Sequence, residues 1–207
     1  MKTPTPDFPH VFVPGNGARA LLLLHGTGGN ETSLIPLGQS LLPGAALLSP
    51  RGKVLENGMP RFFRRLAEGI FDEADLIRRT HELADFLIHA RKEYGLDPKR
   101  LFAVGYSNGA NIAGSLLLLR PEVLGGAALL RPMVPLIPEK LPNLPGVPVL
   151  ISAGNQDPIC ASSEARELAD LLRRAGAEVS LEFENAGHGL TEHTVRVAQE
   201  WLQQRLP

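Results

Sequence analysis

The chain has 207 residues, 43% of them apolar, and 21 basic against 22 acidic side chains give a net charge of −1. That length and apolar content suit one globular domain with a sizeable core, and near-neutral charge without a basic block argues against nucleic acid as a partner. The single cysteine, Cys160, excludes an intrachain disulfide and favours a reducing, cytoplasmic setting; no apolar run of about 18 residues and no apolar leader in the proline-broken N-terminus point to membrane insertion or a signal peptide.

Apolar runs alternate with helical patterns along the chain. Val11–Val13 reads as an edge strand, and the run ALLLL within Ala18–Leu24 as a buried strand ending in His25-Gly26-Thr27-Gly28-Gly29-Asn30. Ser33–Leu42 is expected to be a short helix and Ala45–Ser49 a short strand. Pro50–Gly69, with its glycines, prolines and four arginines, reads as irregular. Asp72–Tyr94 is the clearest helix: Asp72 caps it, Leu76, Ile77, Leu83, Ala84, Leu87 and Ile88 share one face, and Gly95 and Pro98 end it. Leu101–Val104 is a strand, and the apolar helix after Ser107 runs to Pro121. Gly125–Leu130 and Val147–Ala153 are strands separated by a proline-rich stretch. Ser163–Ala175 is expected to be a helix capped by Ser163. Glu178–Glu184 alternates as a strand near a sheet edge, and a last amphipathic helix covers Thr191 to Leu206. Strands alternating with helices mean an α/β fold, a mostly parallel sheet with helices on both faces and no second domain.

The most informative stretch is Leu101–Arg120. Gly105-Tyr106-Ser107-Asn108-Gly109 fits G-x-S-x-G directly between a strand and an apolar helix. A serine on that turn needs a strained backbone with positive φ, which lifts its hydroxyl clear of the sheet; side chains two before and two after would collide, so glycine suits both. An ordinary tight turn containing Ser is the plain alternative. Serine needs a base to become a nucleophile, and a carboxylate to hold that base in the right tautomer. Asp157 and His188 follow Ser107 in that order, each just past a strand, although singly Asp157 could be a turn residue and His188 a loop histidine. In a parallel sheet, segments that follow strands gather at one end. Two oxyanion donors are expected: the backbone N–H of Asn108, directly after the nucleophile, and the N–H of Thr27 in the glycine-rich loop. That loop lacks the spacing of phosphate-binding motifs, and His25, His188 and His193 lack metal-ligand spacing, so no metal or organic cofactor is expected. Cys160 reads as a packing residue.

The segments HGTGGN, GYSNGA, GNQDPI and GHGLT together resemble the small capless α/β-hydrolases of the carboxylesterase/phospholipase group, which includes acyl-protein-thioesterase-like enzymes and bacterial hydroquinone-resistance-associated esterases. The likeness spans about Ala18 to Leu206, and residues 50–72 look more like the bacterial esterase branch. The resemblance implies a Ser-Asp-His esterase with Ser107, Asp157 and His188 in those roles and Thr27 and Asn108 at the oxyanion positions. Asn108 departs from the glutamine that thioesterases of the group often carry. The expected substrate is a small-molecule ester with a short or medium acyl chain. A thioesterase or peptidase on the same triad, or a ligand sensor on the same fold, is the alternative. No long lid follows Gly125–Leu130, and Phe62, Phe63, Met133 and Val134 are candidates for the substrate pocket. Arg61, Arg64 and Arg65 could meet an acidic group, but a solvated or ion-paired face with Glu68 and Asp72 is preferred. Related small esterases are often dimeric, which makes the last helix and the edge strands candidate surfaces for a homodimer.

Overall fold

The computed structural model describes residues 8–206. The first seven residues, on which part of the leader reading falls, lie outside it. Among the described residues no helix is long and apolar enough to cross a membrane. In chain order the elements are β1 (His10–Val13), β2 (Ala20–Leu24), α1 (Ile35–Leu41), β3 (Ala46–Pro50), β4 (Val54–Glu56), β5 (Met59–Arg61), β6 (Arg65–Ala67), β7 (Ile70–Phe71) and α2 (Glu73–Tyr94). Then come β8 (Leu101–Tyr106), α3 (Asn108–Leu119), β9 (Gly126–Leu130), β10 (Pro148–Gly154), α4 (Ser162–Arg174), β11 (Glu178–Glu184) and α5 (Glu192–Arg205).

A seven-stranded sheet in the order β1-β3-β2-β8-β9-β10-β11 forms the centre. Only β1 runs antiparallel. Alternation along each strand divides the core into two layers. On β2, Leu22 and Leu24 face α2, α3 and α4, where Leu83, Leu87, Leu116 and Leu168 lie. Leu21 and Leu23 face α1 and α5, against Leu41, Trp201 and Leu202. The leucine run reads as continuous in sequence because both faces of this strand are covered.

The chain leaves β2 towards β3 on one side and later returns through α2 to β8 on the other. β2 and β8 are neighbours, with Leu24 opposite Gly105. The strand order therefore reverses between them, and their following loops diverge to leave a crevice at the carboxyl ends. β9, β10 and β11 extend the sheet from there, so the segments after them border the same crevice.

Local chemistry accounts for most boundaries. Asp72 accepts from the Asp75 N–H at 3.0 Å and caps α2, and Gly95 ends it in the left-handed region at φ 67°. Thr191 and Thr194 bond reciprocally at the start of α5. Two readings change. The stretch from Pro50 to Gly69, expected to be irregular, carries a short antiparallel hairpin, β4–β5, and the first strand of a second, β6–β7, which closes at Phe71. Their strands are three residues or fewer, too short to show a period of two, although Asn57-Gly58, with φ 51° and 79°, supplies the turn of the first. Ser163 lies inside the first turn of α4, whose cap position is held by Ala161.

Among the glycines of the described residues, the tightest approach lies in the turn that carries Ser107. A Cβ on Gly109 would fall on the backbone carbonyl of Leu24, whereas one on Gly114, five residues along the same helix, would sit 3.5 Å from the Pro135 ring. Gly114→Ala is expected to be neutral or to stabilise by up to ~1 kcal/mol, as alanine does in a helix interior, while Gly109→Ala lowers the thermal midpoint by many degrees. Matched melting curves check the contrast; equal midpoints would contradict the packing described.

Candidate active site

Ser107 stands between β8 and α3 at φ 53° and ψ −117°. For a non-glycine residue this is a strained conformation of the kind found at functional turns. Packing leaves it no alternative. A Cβ on Gly105 would strike the Gly109 carbonyl, so the turn closes only with glycine at both places. The Ser107 N–H donates to the Leu130 carbonyl on β9 at 2.9 Å, which fixes the turn to the next strand. The first turn of α3 points its free N–H groups at the same place.

Three segments from distant parts of the chain meet there. His188 Nε2 lies 2.9 Å from Ser107 Oγ, and its Nδ1 lies 2.7 Å from Asp157 Oδ2. A carboxylate can only accept, so Nδ1 carries the proton and Nε2 is left to accept from the Ser107 hydroxyl. The other Asp157 oxygen accepts from the N–H groups of Ile159 (2.8 Å) and Cys160 (2.9 Å). Burial pushes the Asp157 carboxyl up, but the Cys160 N–H, the His188 ring and the Ile159 N–H outweigh it and hold the group below the usual carboxylate range. Tyr106 lies with its ring 5.4 Å from the imidazole and donates its hydroxyl to the His188 carbonyl at 3.2 Å.

Thr27 and Asn108 line the same cleft as Ser107 and His188. Both are braced by the end of β5. Arg61 Nη1 donates to Thr27 Oγ1 at 2.6 Å, the Gly28 N–H donates to the Pro60 carbonyl at 3.0 Å, and the Phe62 N–H donates to Asn108 Oδ1 at 2.8 Å. The glycine-rich loop is anchored from below by His25. Its Nδ1 bonds the Gly26 carbonyl at 2.7 Å and its Nε2 accepts from the Gly52 N–H at 3.0 Å.

The cleft has a volume of about 310 Å³. Its polar lining includes Ser107, Asn108, Asn111 and His188, and Phe71, Met133 and Ile159 are its apolar lining. Of the four pocket residues expected from sequence, only Met133 lines it. Phe62 and Phe63 are 2% and 0% exposed and belong to the core. Their rings turn inward, Phe62 against His25 at 4.7 Å and Phe63 edge-on to Phe71 at 5.0 Å. Val134 packs against the same core and gives its N–H to Glu164. The arginine cluster divides. Arg64 pairs with Asp72. Arg61 and Arg65 share Glu56, at 3.2 and 2.8 Å, where Glu68 was the expected partner, and both line the cleft.

Asp157, Cys160 and His188 also offer potential metal-ligand atoms within 4.8 Å of one another. Those atoms are engaged otherwise. The ring nitrogens bond Asp157 and Ser107, the Cys160 thiol donates to the Arg131 carbonyl at 3.4 Å, and burial pushes that thiol up to about 12. A thiol so placed is a poor ligand and a poor nucleophile.

The profile of the phospholipase/carboxylesterase family matches residues 11–206. The chain belongs to this family. It is 50% identical over 197 residues to MhqD of Bacillus subtilis, covering 95% of this chain and 98% of that one. A crystal structure of a Bacillus cereus carboxylesterase superposes with a TM-score of 0.93 at 55% identity, over 96% of this chain and 94% of that one. The structure of YahD with malic acid follows at a TM-score of 0.90 and 29% identity, over 96% and 100%. The protein is thus a carboxylesterase-type hydrolase with the α/β-hydrolase fold, and the sequence resemblance to the capless group holds.

Sequence reading missed several residues around this cleft. Tyr106 was visible only as the variable position of G-x-S-x-G. Asn111, which accepts from the Met133 N–H at 2.8 Å, reads in sequence as one more residue of an apolar helix. His25 was weighed as a metal ligand, yet it is 1% exposed and spans two loops. Burial, against the pull of the Gly26 carbonyl and Glu31, lowers its pKa from the ordinary 6.5. A depressed base binds its proton more weakly folded than unfolded, so this contribution to stability is complete above pH 6.5 and is lost as pH falls below it. His25→Ala should cost about 1–3 kcal/mol at pH 7.5, because the buried Gly52 N–H loses its acceptor, and should lose less additional stability between pH 6.5 and 5 than the wild type. Denaturant titrations at several pH values measure both effects.

Proposed function

We propose that the protein hydrolyses short- to medium-chain carboxylic esters through an acyl-enzyme on Ser107, with His188 as general base and acid and Asp157 as the group that orients it. The observation carrying this reading is the unbroken chain of contacts Ser107 Oγ–His188 Nε2–His188 Nδ1–Asp157 Oδ2, at 2.9 and 2.7 Å. In the first half-reaction Ser107 Oγ attacks the ester carbonyl carbon while its proton passes to His188 Nε2. The carbonyl oxygen becomes an oxyanion and accepts from the N–H groups of Thr27 and Asn108, at the positive end of α3. Asp157 keeps the proton on Nδ1 and stabilises the imidazolium. His188 then gives its Nε2 proton to the leaving alkoxide as the C–O bond breaks. In the second half-reaction water enters, His188 Nε2 takes its proton as the oxygen attacks the acyl carbon, and the same proton then passes to Ser107 Oγ as the acyl C–Oγ bond breaks and the acid is released. Each step uses only the Ser107 hydroxyl proton, the His188 ring and the protons of the attacking water.

The size of the cleft and its apolar side of Phe71, Met133 and Ile159 favour a short acyl group over a long one. An acidic acyl group is a second reading, suggested by Arg61 and Arg65 at the cleft and by the malic acid bound to YahD. Glu56 pairs with both arginines and Glu68 borders the same cleft, so the charge is largely compensated and a neutral ester is preferred. Thioesters and activated amides would meet the same machinery and belong in the same substrate panel.

Ser107→Ala is expected to lower kcat by about 10⁶ without unfolding the chain, and Asp157→Asn by about 10⁴ because the imidazole loses its fixed tautomer. A fluorophosphonate probe should label wild type at Ser107 alone, as mapped by mass spectrometry. Equal p-nitrophenyl acetate hydrolysis by wild type and Ser107→Ala would refute the assignment. A panel of p-nitrophenyl esters, neutral and half-acid, should show kcat/KM highest for short neutral chains.

A further inference from the structure

Arg131 is a fully buried arginine at the end of β9, 0% exposed, with its backbone in the left-handed region at φ 58°. Neither property is expected of an ordinary strand-end residue. A buried guanidinium is costly unless its donors are met, and a β-carbon in that backbone region is held only where the surroundings over-determine it. Here they do. Nε donates to the Gly187 carbonyl at 3.1 Å and Nη2 to the Gly189 carbonyl at 3.2 Å. These are the residues on either side of His188, so the planar fork straddles the histidine. Nη1 donates to Ser152 Oγ at 3.1 Å, and Nη2 also to Thr194 Oγ1 at 3.0 Å and to Glu184. Glu184 in turn accepts from Thr191 and Thr194 at the start of α5.

The backbone of the same residue reaches the other two segments of the site. The Arg131 N–H donates to the Ser152 carbonyl at 2.8 Å. Its carbonyl accepts from the Cys160 thiol at 3.4 Å, and the Cys160 N–H bonds Asp157. The preceding residue, Leu130, accepts from the Ser107 N–H. The turns bearing Ser107, Asp157 and His188 are therefore joined at one point.

We propose that Arg131 is a positioning residue for hydrolysis: its guanidinium, seated on Glu184, holds the carbonyls flanking His188 and so sets the imidazole between Asp157 and Ser107. The inference rests on the triad reading above. Arginine suits the place because its rigid fork can meet separated acceptors at once, which a lysine ammonium cannot. The counter-ion is in place at working pH. Burial pushes the Glu184 carboxyl up, but hydrogen bonds from Thr191, Thr194 and Arg131 and the arginine charge bring it down to about 2.

Two variants test the role. Arg131→Lys keeps the charge opposite Glu184 but cannot hold both flanking carbonyls. The double variant Arg131→Met with Glu184→Gln removes both charges and leaves neither ion unpaired. On p-nitrophenyl acetate, kcat should fall about tenfold in the first and about 100-fold in the second, the cost of displacing a catalytic group by about an ångström, with KM nearly unchanged. The low-field proton resonance of the His188 Nδ1–H should weaken or vanish in step with kcat, at temperatures where melting curves show both variants folded. Either variant, folded, with wild-type kcat and an intact resonance would overturn the proposal. Ser107→Ala run alongside separates the two readings. If it keeps activity, the triad assignment fails; if it is inactive while the Arg131 variants are not, only the positioning role fails.

Discussion

The close approach of β2 to the first turn of α3 is the constraint on which the rest of the site depends. Gly109 lies against the Leu24 carbonyl and Gly105 against the Gly109 carbonyl, at distances that admit no side chain. Because Leu24 and Gly105 are partners on adjacent parallel strands, this contact brings the end of one strand and the start of one helix to a single place. Ser107 then has nowhere to go but into its strained turn, at a cost on the order of 1–3 kcal/mol. Burial of leucine-rich layers on both faces of the sheet is far larger than that cost and holds the turn closed. The energy of the fold and the placing of the Ser107 hydroxyl are in this sense one arrangement.

Around the turn, polar contacts do what apolar packing cannot. Apolar packing sets approximate positions, but on the proposed reading Ser107 passes its proton to His188, and Asp157 holds the ring for it, only if each pair sits at hydrogen-bond distance. Both Asp157 oxygens are occupied, one by His188 and the other by two backbone N–H groups. Thr27 and Asn108 are held by neighbouring residues at the end of β5. Such networks are stronger in a low-dielectric interior and more costly when broken. They also mean that little has to reorganise when charge develops during reaction, which is where most of the acceleration in such sites arises.

The two short hairpins between β3 and α2 occupy the place where the chain departs most from a bare sheet-and-helix plan. They build one wall of the cleft and brace the glycine-rich loop, while His25 anchors that loop to residue 52 from beneath. With Glu56 on Arg61 and Arg65 and Glu68 in the same lining, a segment rich in charge becomes a wall with little net charge. On the proposed reading, the cleft therefore selects a small acyl group through its dimensions and apolar lining more than through charge.

Several features of this protein are written in short stretches of chain. The buried strand Ala20–Leu24, the helix from Glu73 to Tyr94 with its Asp72 cap, and the strand, glycine-flanked serine and apolar helix of residues 101–119 all follow from local periodicity, capping and steric need. The order Ser107, Asp157, His188 at strand ends pointed to one crevice because parallel strands all finish on the same side. Partner choice was different. Whether Phe62 and Phe63 face the cleft or the core, which acid Arg61 and Arg65 share, and that Arg131 reaches the two carbonyls beside His188 from 56 and 58 residues away depend on distances no local pattern encodes. A side chain's propensity and period are properties of its neighbours in sequence, whereas its hydrogen-bond partners are set by which strands lie side by side, and only the assembled sheet decides that.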